Sequence, residues 1–285
     1  MNFPDYIGPF IKRKEEPNAI SFGALYSLQI EVDVPNERNR FLRVYLPEDY
    51  DPNKKYPVMY MCDAQNAVDR YLTAYGEWDI DEHMHELITE GYPSFLVVGL
   101  DCPKNPIHRV QEYVLDDATY YLLNKNGKNK GYGKRYASFL INYVKPLIEQ
   151  YFCVYSDKNH TAFGGSSMGG LCSFDMVSTY SDVFSFSLCF SPSFKFFNQK
   201  EYYAELSKRK FDINNQKFYF YCGALDLDKN LLGGTIKMYK YLRSLGYDDD
   251  HIALSIDNFA THNEEAWSKH FNEAIKFWLN KKSED

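Results

Sequence analysis

Two early stretches of the chain alternate between apolar and polar residues, and the later apolar stretches are continuous. Residues 24–34 and 40–46 alternate on either side of a short polar turn, which predicts an antiparallel hairpin. Residues 56–62 and 95–100 are apolar almost throughout, as is typical of parallel strands covered on both faces. Further strands are predicted over residues 161–163, 184–190, 217–222 and 251–259.

Between these strands the apolar residues recur at helical spacing. Helices are predicted over residues 78–90, 136–152, 171–180, 231–245 and 264–279. A hairpin followed by alternating strands and helices predicts an α/β fold, a three-layer sandwich with a mostly parallel central sheet of about eight strands. We expect a single domain over residues 1–285, with an irregular arm at 1–18. Residues 101–135 and 191–203 are predicted to be loop insertions over the active site, because they follow strands at the carboxyl edge of the sheet.

Composition narrows the class of protein. The net charge is −7 and no basic stripe dominates, so nothing indicates a nucleic-acid partner. The first 16 residues lack the pattern of a secretory signal, and no apolar run approaches the ~20 residues of a membrane span. Six scattered cysteines favour reduced thiols in a cytoplasmic protein, and their spacing does not suggest a zinc site.

The stretch 160–172 carries the chemistry. β-prone residues lead into a glycine- and serine-rich turn, and an amphipathic segment follows. The nucleophile-elbow pattern Gly-x-Ser-x-Gly fits in one register, with Gly165, Ser167 and Gly169, since centring it on Ser166 would require glycine where Met168 stands. An ordinary glycine-rich turn and a phosphate-binding loop are the alternatives. No lysine follows the glycines as in a P-loop, and the dinucleotide-binding fingerprint is absent, so Ser167 is the candidate nucleophile.

A serine nucleophile needs a base and an orienting acid, in the chain order Ser, acid, His. His262 follows the last predicted strand directly, whereas the other histidines precede Ser167 or lie in unsuitable positions. The alternative for His262 is a helix-capping or surface role. Asp226 and Asp228 both follow the preceding strand and both qualify as the acid; either could instead cap the next helix. We prefer Asp226.

The oxyanion hole requires two backbone N–H groups. One is predicted to come from Met168, the residue after the nucleophile, and the other from the loop that begins at Asp63. The stretch around that loop, Pro-Val-Met-Tyr-Met-Cys-Asp-Ala-Gln-Asn, resembles the Pro-Val-x-Tyr-x-x-Asp-Gly-x-Asn motif of the esterase D-like putative esterase family of α/β hydrolases. The family includes enterochelin esterases, feruloyl esterases and S-formylglutathione hydrolases. Further matches, in order over about residues 25–280, are Val-Val-Gly-Leu-Asp at 97–101, Arg109 with Glu112 and Tyr113, the elbow itself, Ser-Pro-Ser-Phe at 191–194, and Thr-His-Asn-Glu at 261–264 with Trp267.

The resemblance implies an α/β-hydrolase fold with Ser167 as nucleophile, His262 as base and Asp226 as acid. It places the Gln65 N–H in the oxyanion hole beside that of Met168. Ala64 departs from the glycine common in relatives, which matters if that position needs an unusual φ.

Other side chains are candidates for contact with the substrate. Arg109, Tyr113 and Phe194 are the candidate substrate-binding residues, although an Arg109–Glu112 ion pair that pins the long loop is an equal alternative. Trp78 is expected to belong to the core.

The sequence thus predicts a serine carboxylic-ester hydrolase that works through an acyl-enzyme, without a metal or organic cofactor. The expected substrate is a small-molecule or oligosaccharide ester: a carbohydrate-linked acetyl or aromatic ester, or a siderophore-type ester for which Arg109, Lys125, Lys128 and Lys130 would supply positive charge. The alternatives are an acyltransferase and a non-catalytic binding protein with a hydrolase fold. The sequence predicts no membrane partner and leaves the oligomeric state open.

Overall fold

The strands of the described residues form one ten-stranded sheet. The computed structural model describes residues 3–13, 19–73, 76–115, 131–196 and 198–281. The strands are β1 (Tyr6–Ile7), β2 (Phe10–Lys12), β3 (Ala24–Glu31), β4 (Asn39–Leu46), β5 (Val58–Met61), β6 (Leu96–Leu100), β7 (Thr161–Ser166), β8 (Phe186–Phe190), β9 (Lys217–Gly223) and β10 (Ile252–Asp257). Their order in the sheet is β1-β2-β3-β4-β6-β5-β7-β8-β9-β10.

The first four strands pair antiparallel, and the last six, β5–β10, pair with one another in parallel. The predicted hairpin is β3–β4, in which Ala24 lies opposite Leu46. All eight predicted strands are present. The prediction of an irregular arm at residues 1–18 is wrong for β1 and β2, because the Phe10 ring is buried against Phe152 and draws this short hairpin onto the sheet.

In the part of the chain that the structure describes, eight α-helices cover the two faces of the sheet. They are α1 (Ile80–Thr89), α2 (Pro106–Tyr113), α3 (Gly133–Phe139), α4 (Lys145–Tyr151), α5 (Met168–Thr179), α6 (Gln199–Leu206), α7 (Asp228–Ser244) and α8 (Glu264–Trp278). A π-helical turn at Leu140–Val144 joins α3 to α4, so the helix predicted at 136–152 is continuous but changes its winding midway. Helices α1 and α8 pack on one face and the other six on the opposite face, which gives the predicted three layers.

Aromatic side chains fill much of both interior layers. Trp78 is 2% exposed and packs against Phe190 and Trp267, which confirms the core role predicted for it. On the opposite face Phe174 lies between Phe194 and Phe218. Aromatic residues make up 17% of the sequence, and many of them pack in the core in this way.

The two segments predicted as loops over the active site contain helices. Within 101–135, helix α2 packs beside α5, and residues 116–130, which include the three candidate lysines, lie outside the described residues. Within 191–203, a 3-10 turn at Phe194–Phe196 leads into α6, and Tyr202 is fully buried. This second segment therefore packs against the core. Within the described ranges, no helix is both long enough and apolar enough to cross a membrane.

Candidate active site

Ser167 occupies the tip of a tight turn between β7 and α5. Its backbone has φ 58° and ψ −118°, a conformation that costs a non-glycine residue roughly 1–3 kcal/mol. The flanking glycines make this turn possible. A Cβ on Gly165 would lie 2.8 Å from the carbonyl carbon of Gly169, and a Cβ on Gly169 would lie 2.9 Å from the Cβ of Cys62. Glycine at position 165 is therefore required by the elbow's own backbone, and glycine at position 169 by the side chain that follows β5.

His262 follows β10, in the predicted loop before α8. Its Nδ1 lies 2.6 Å from Oδ1 of Asp228, and the imidazole is 14% exposed. Because a carboxylate only accepts hydrogen bonds, this contact places the ring proton on Nδ1 and leaves Nε2 as the basic nitrogen.

The preference for Asp226 as the acid is not supported by this geometry. Asp226 is exposed and adopts a left-handed backbone with φ 49°, in the turn that connects β9 to α7. Asp228, two residues later, opens α7 and is fully buried. Of the two aspartates that the sequence left open, Asp228 is thus the one beside His262.

The second oxygen of Asp228 has two further partners. Oδ2 accepts hydrogen bonds of 2.8 Å from the Ser191 hydroxyl and 2.9 Å from the Gly223 N–H. The Ser191 hydroxyl in turn accepts a bond of 3.0 Å from Nε1 of Trp267. With His262, the carboxylate has three donors, which hold it in one orientation.

The loop predicted to complete the oxyanion hole forms a 3-10 turn at Ala64–Asn66, immediately after β5. Gln65 is its second residue and Met168 is the first residue of α5, and N–H groups at such positions have no partner within their own helix. The left-handed residue is Asp63, with φ 57°, whereas Ala64 lies inside the turn. The departure from glycine at position 64 therefore does not disturb the loop.

Arg109 fixes this turn through a salt bridge with Asp63. Its Nε and one terminal nitrogen each lie 2.7 Å from a different oxygen of the Asp63 carboxylate. The hydroxyl of Tyr113 donates to the same carboxylate at 3.2 Å and accepts from the Asp63 N–H at 3.1 Å. The predicted Arg109–Glu112 pair is wrong, since Glu112 is buried against Arg40 with two bonds of 2.7 and 2.8 Å.

The three candidate substrate-binding residues differ in whether they line the cavity at the site. Tyr113 is fully buried and Phe194 is 1% exposed, within the core. Neither lines the cavity. The prediction is wrong for these two residues, because the sequence of an irregular segment does not reveal which of its aromatic side chains face the core. Arg109 does line it, although its guanidinium group is already engaged by Asp63.

A cavity of about 460 Å³ lies beside the elbow and the Asp63 turn. Ser167 and His262 line it together, at the carboxyl edge of the parallel strands. Its other lining residues are Asp63, Gln65, Asn66, Cys102, Pro103, Lys104, Pro106, Arg109, Ser166, Asn263, Glu264 and Trp267. Burial raises the pKa of the Cys102 thiol to about 12, so this sulfur stays protonated near neutral pH. The walls combine proline and tryptophan surfaces with one exposed cation, Lys104.

The structure adds site residues that the sequence reasoning did not single out for their roles. Ser191 supports Asp228, and Asn66 and Glu264 form a buried hydrogen bond of 2.9 Å at the cavity wall. Ser191 and Glu264 lie within motifs that resemble the esterase family, so the motifs marked the right regions of the chain. The partners of these residues are 37 and 198 positions away, which motif spacing alone does not reveal.

A mostly parallel sheet that carries a strained serine and a buried His–Asp pair at its carboxyl edge defines an α/β hydrolase. The family model described as "Putative esterase" matches residues 35–278, so the chain belongs to this family. Membership confirms the predicted resemblance and makes the protein an esterase.

Individual relatives share the fold over nearly the whole chain. The curated "Uncharacterized protein YbbA" of Bacillus subtilis (strain 168) is 24% identical over 252 residues, covering 85% of this chain and 92% of the relative. A mutant feruloyl esterase module from Clostridium thermocellum, complexed with sinapinate, superposes with a TM-score of 0.67 at 16% identity, covering 98% of both chains. An IroE-like serine hydrolase from Shewanella oneidensis superposes with a TM-score of 0.63 at 19% identity, covering 89% of this chain and 79% of that one.

Proposed function

We propose that the protein hydrolyses carboxylic esters through an acyl-enzyme formed on Ser167. The observation that supports this most directly is the 2.6 Å contact between His262 Nδ1 and Asp228, in the same cavity as the strained serine. In this proposal His262 is the general base and Asp228 the orienting acid. The proposal also includes a hydrogen bond between Ser167 Oγ and His262 Nε2, which is of the kind that often tightens only when substrate binds.

The reaction would proceed in two halves. Ser167 Oγ attacks the ester carbonyl carbon while His262 Nε2 takes the hydroxyl proton, and the carbonyl oxygen becomes an oxyanion held by the Met168 and Gln65 N–H groups. Collapse of this intermediate breaks the ester bond, and His262 gives its proton to the leaving alcohol. A water molecule, deprotonated by His262, then attacks the acyl carbon; the bond from that carbon to Ser167 Oγ breaks, His262 returns the proton to Oγ, and the acid is released.

Carbohydrate-linked acetyl or aromatic esters are the substrates that we favour. The cavity is small and has one tryptophan and two prolines in its wall, which suits a compact acyl group. A structural relative is a feruloyl esterase module solved with sinapinate, an aromatic acid. The siderophore-type ester has less support, because Arg109, one of the cations expected to bind it, is engaged by Asp63.

Labelling with a fluorophosphonate probe and hydrolysis of p-nitrophenyl acetate test the mechanism. We expect the wild type to be labelled at Ser167, and Ser167→Ala to lose labelling together with at least about a thousandfold in kcat. The Ser166→Ala variant is the matched control, because it removes the neighbouring hydroxyl and should still be labelled at position 167. Undiminished hydrolysis by Ser167→Ala would refute the assignment. A panel of acetyl, feruloyl and catecholate lactone esters then separates the substrate classes.

A further inference from the structure

Glu264 is a buried carboxyl group in the cavity wall that the proposed reaction steps do not use. It opens helix α8, and its Oε1 accepts a 2.9 Å hydrogen bond from Nδ2 of Asn66. Each of the two residues is only 7% exposed. A buried polar pair of this kind holds its two segments together, because separation would leave both groups without partners.

Asn66 is adjacent to the proposed oxyanion donor Gln65. Its own N–H donates to the Asp63 carbonyl at 2.9 Å, and its carbonyl accepts from the Trp78 N–H at 2.8 Å. The backbone N–H and C=O of Asn66 are therefore both hydrogen-bonded, so its side chain and the turn are held as one unit. A displacement of that side chain would be passed to the neighbouring Gln65 peptide.

Glu264 has the same relation to the base, since it lies two residues after His262. The intervening Asn263 caps α8, with its Oδ1 accepting a 2.9 Å bond from the Ala266 N–H. His262 thus stands on a short connection to a rigid helix start. Movement of Glu264 would move the backbone that carries the imidazole.

We infer that Glu264 is a positioning residue, which acts through Asn66 to set the distance between the Gln65 N–H and the His262 imidazole. The transition state needs both groups at once, one at the oxyanion and one at the transferred proton. Misplacement of such groups by 1 Å costs on the order of 100-fold in rate. The inference rests on the proposed function.

The bond requires an acceptor oxygen at position 264 and no particular charge. Burial raises the pKa of the Glu264 carboxyl, and the nearby Asp63 carboxylate adds to this effect. A carboxyl oxygen accepts from the Asn66 amide in either protonation state. A glutamine at this position offers the same acceptor, which makes it the conservative variant.

Kinetic constants for p-nitrophenyl acetate and the rate of fluorophosphonate labelling test the inference. Glu264→Ala should lower kcat and the labelling rate by about 10- to 100-fold, with KM changed by no more than about twofold. Glu264→Gln should retain most of the wild-type kcat. Glu265→Ala is the matched control, because this neighbouring carboxylate is exposed and pairs with Lys269, and it should leave both rates unchanged.

A polarity swap separates positioning from a general effect on folding. Asn66→Asp places two carboxyl groups together and should lower kcat, and adding Glu264→Gln restores a donor and an acceptor and should recover most of it. The inference is wrong if Glu264→Ala keeps its kcat, or if the double variant regains the wild-type Tm without regaining kcat. A wild type that is not labelled at all would instead refute the proposed function, and the inference with it.

Discussion

The hydroxyl of Ser191 donates a 2.8 Å hydrogen bond to Oδ2 of Asp228. Ser191 itself has a left-handed backbone, with φ 44°, and its N–H donates to the carbonyl of Tyr221 on β9. The strand that follows the nucleophile strand in the sheet thus supplies a hydroxyl that orients the proposed acid.

Replacing Ser191 with alanine should lower kcat while the protein stays folded. The lost bond to a charged group is worth about 1.5–3 kcal/mol, which corresponds to roughly 10- to 100-fold in kcat if it acts in the transition state. Ser193→Ala is the control, because that hydroxyl is equally buried, two residues away, and has no hydrogen-bond partner among the described residues. Equal loss in both variants would contradict the role given to Ser191.

The two candidate acids can be separated by mutation. Asp228→Asn should reduce kcat by roughly 10³- to 10⁴-fold, because an amide no longer holds the His262 ring in the required tautomer. Asp226→Asn should leave kcat near the wild-type value, since that side chain is exposed. Ester hydrolysis by the purified variants decides between them, and the reverse ranking would restore Asp226 as the acid.

Arg109 should matter for both stability and rate. Arg109→Gln leaves the Asp63 carboxylate, which is 9% exposed, without its bidentate partner, and breaking such a pair costs about 3–5 kcal/mol in the free energy of unfolding. The turn at Ala64–Asn66, which carries the proposed oxyanion donor, would also lose the support of the salt bridge, so kcat should fall.

Adding Asp63→Asn removes the unpaired charge and keeps a side chain that tolerates the left-handed backbone. This double variant should recover part of the lost stability in urea unfolding, without recovering kcat. A single variant as stable as the wild type would show that the salt bridge does not fix the turn.

Asp81 should make stability depend on pH. Burial, and then the neighbouring Glu82 carboxyl, raise the pKa of Asp81 to about 8, well above the ordinary value near 4 that it has in the unfolded chain. The folded state therefore binds the extra proton. The contribution is fully present below about pH 4, declines as the pH rises, and is lost above about pH 8.

Asp81→Asn keeps an oxygen that accepts from the N–H groups of Ser21 and Phe22 and removes the titration. Its free energy of unfolding should fall less than that of the wild type between pH 5 and pH 9, as measured by urea unfolding. Asp33→Asn is the control, because Arg135 lowers the pKa of that exposed carboxyl and its contribution is constant in this range. Parallel curves for wild type and Asp81→Asn would contradict the prediction.

The sequence predicts the sheet well because buried parallel strands are continuous apolar runs that few other structures produce. The short strands β1 and β2 escape such reasoning, since two or three residues carry no period. The elbow is predictable because its sequence pattern is short and characteristic. Glycine at position 165 is required by a local contact with Gly169, whereas glycine at position 169 is required by the distant Cys62.

The remaining site depends on contacts between distant segments. Asp226 and Asp228 are two residues apart, and the conformation of the connection between β9 and α7 exposes the first and buries the second. The exposed Leu225 and Leu227 beside them give a misleading apolar pattern. Arg109 pairs with Asp63 rather than Glu112 because the fold brings α2 to the residues that follow β5, 46 positions away in the chain. Such pairings depend on how the elements pack, which one sequence does not specify.

The position of the strands in the sheet also determines which part of the site should unfold first in denaturant. Ser167 follows β7, near the middle of the sheet, whereas Asp228 and His262 follow β9 and β10, the last two strands in the sheet order. Outer strands open by partial unfolding at lower free energy than central ones. We therefore expect hydrolysis to disappear at urea concentrations that leave most of the far-ultraviolet circular dichroism intact, so that inactivation would report fraying of this flank before the whole protein unfolds.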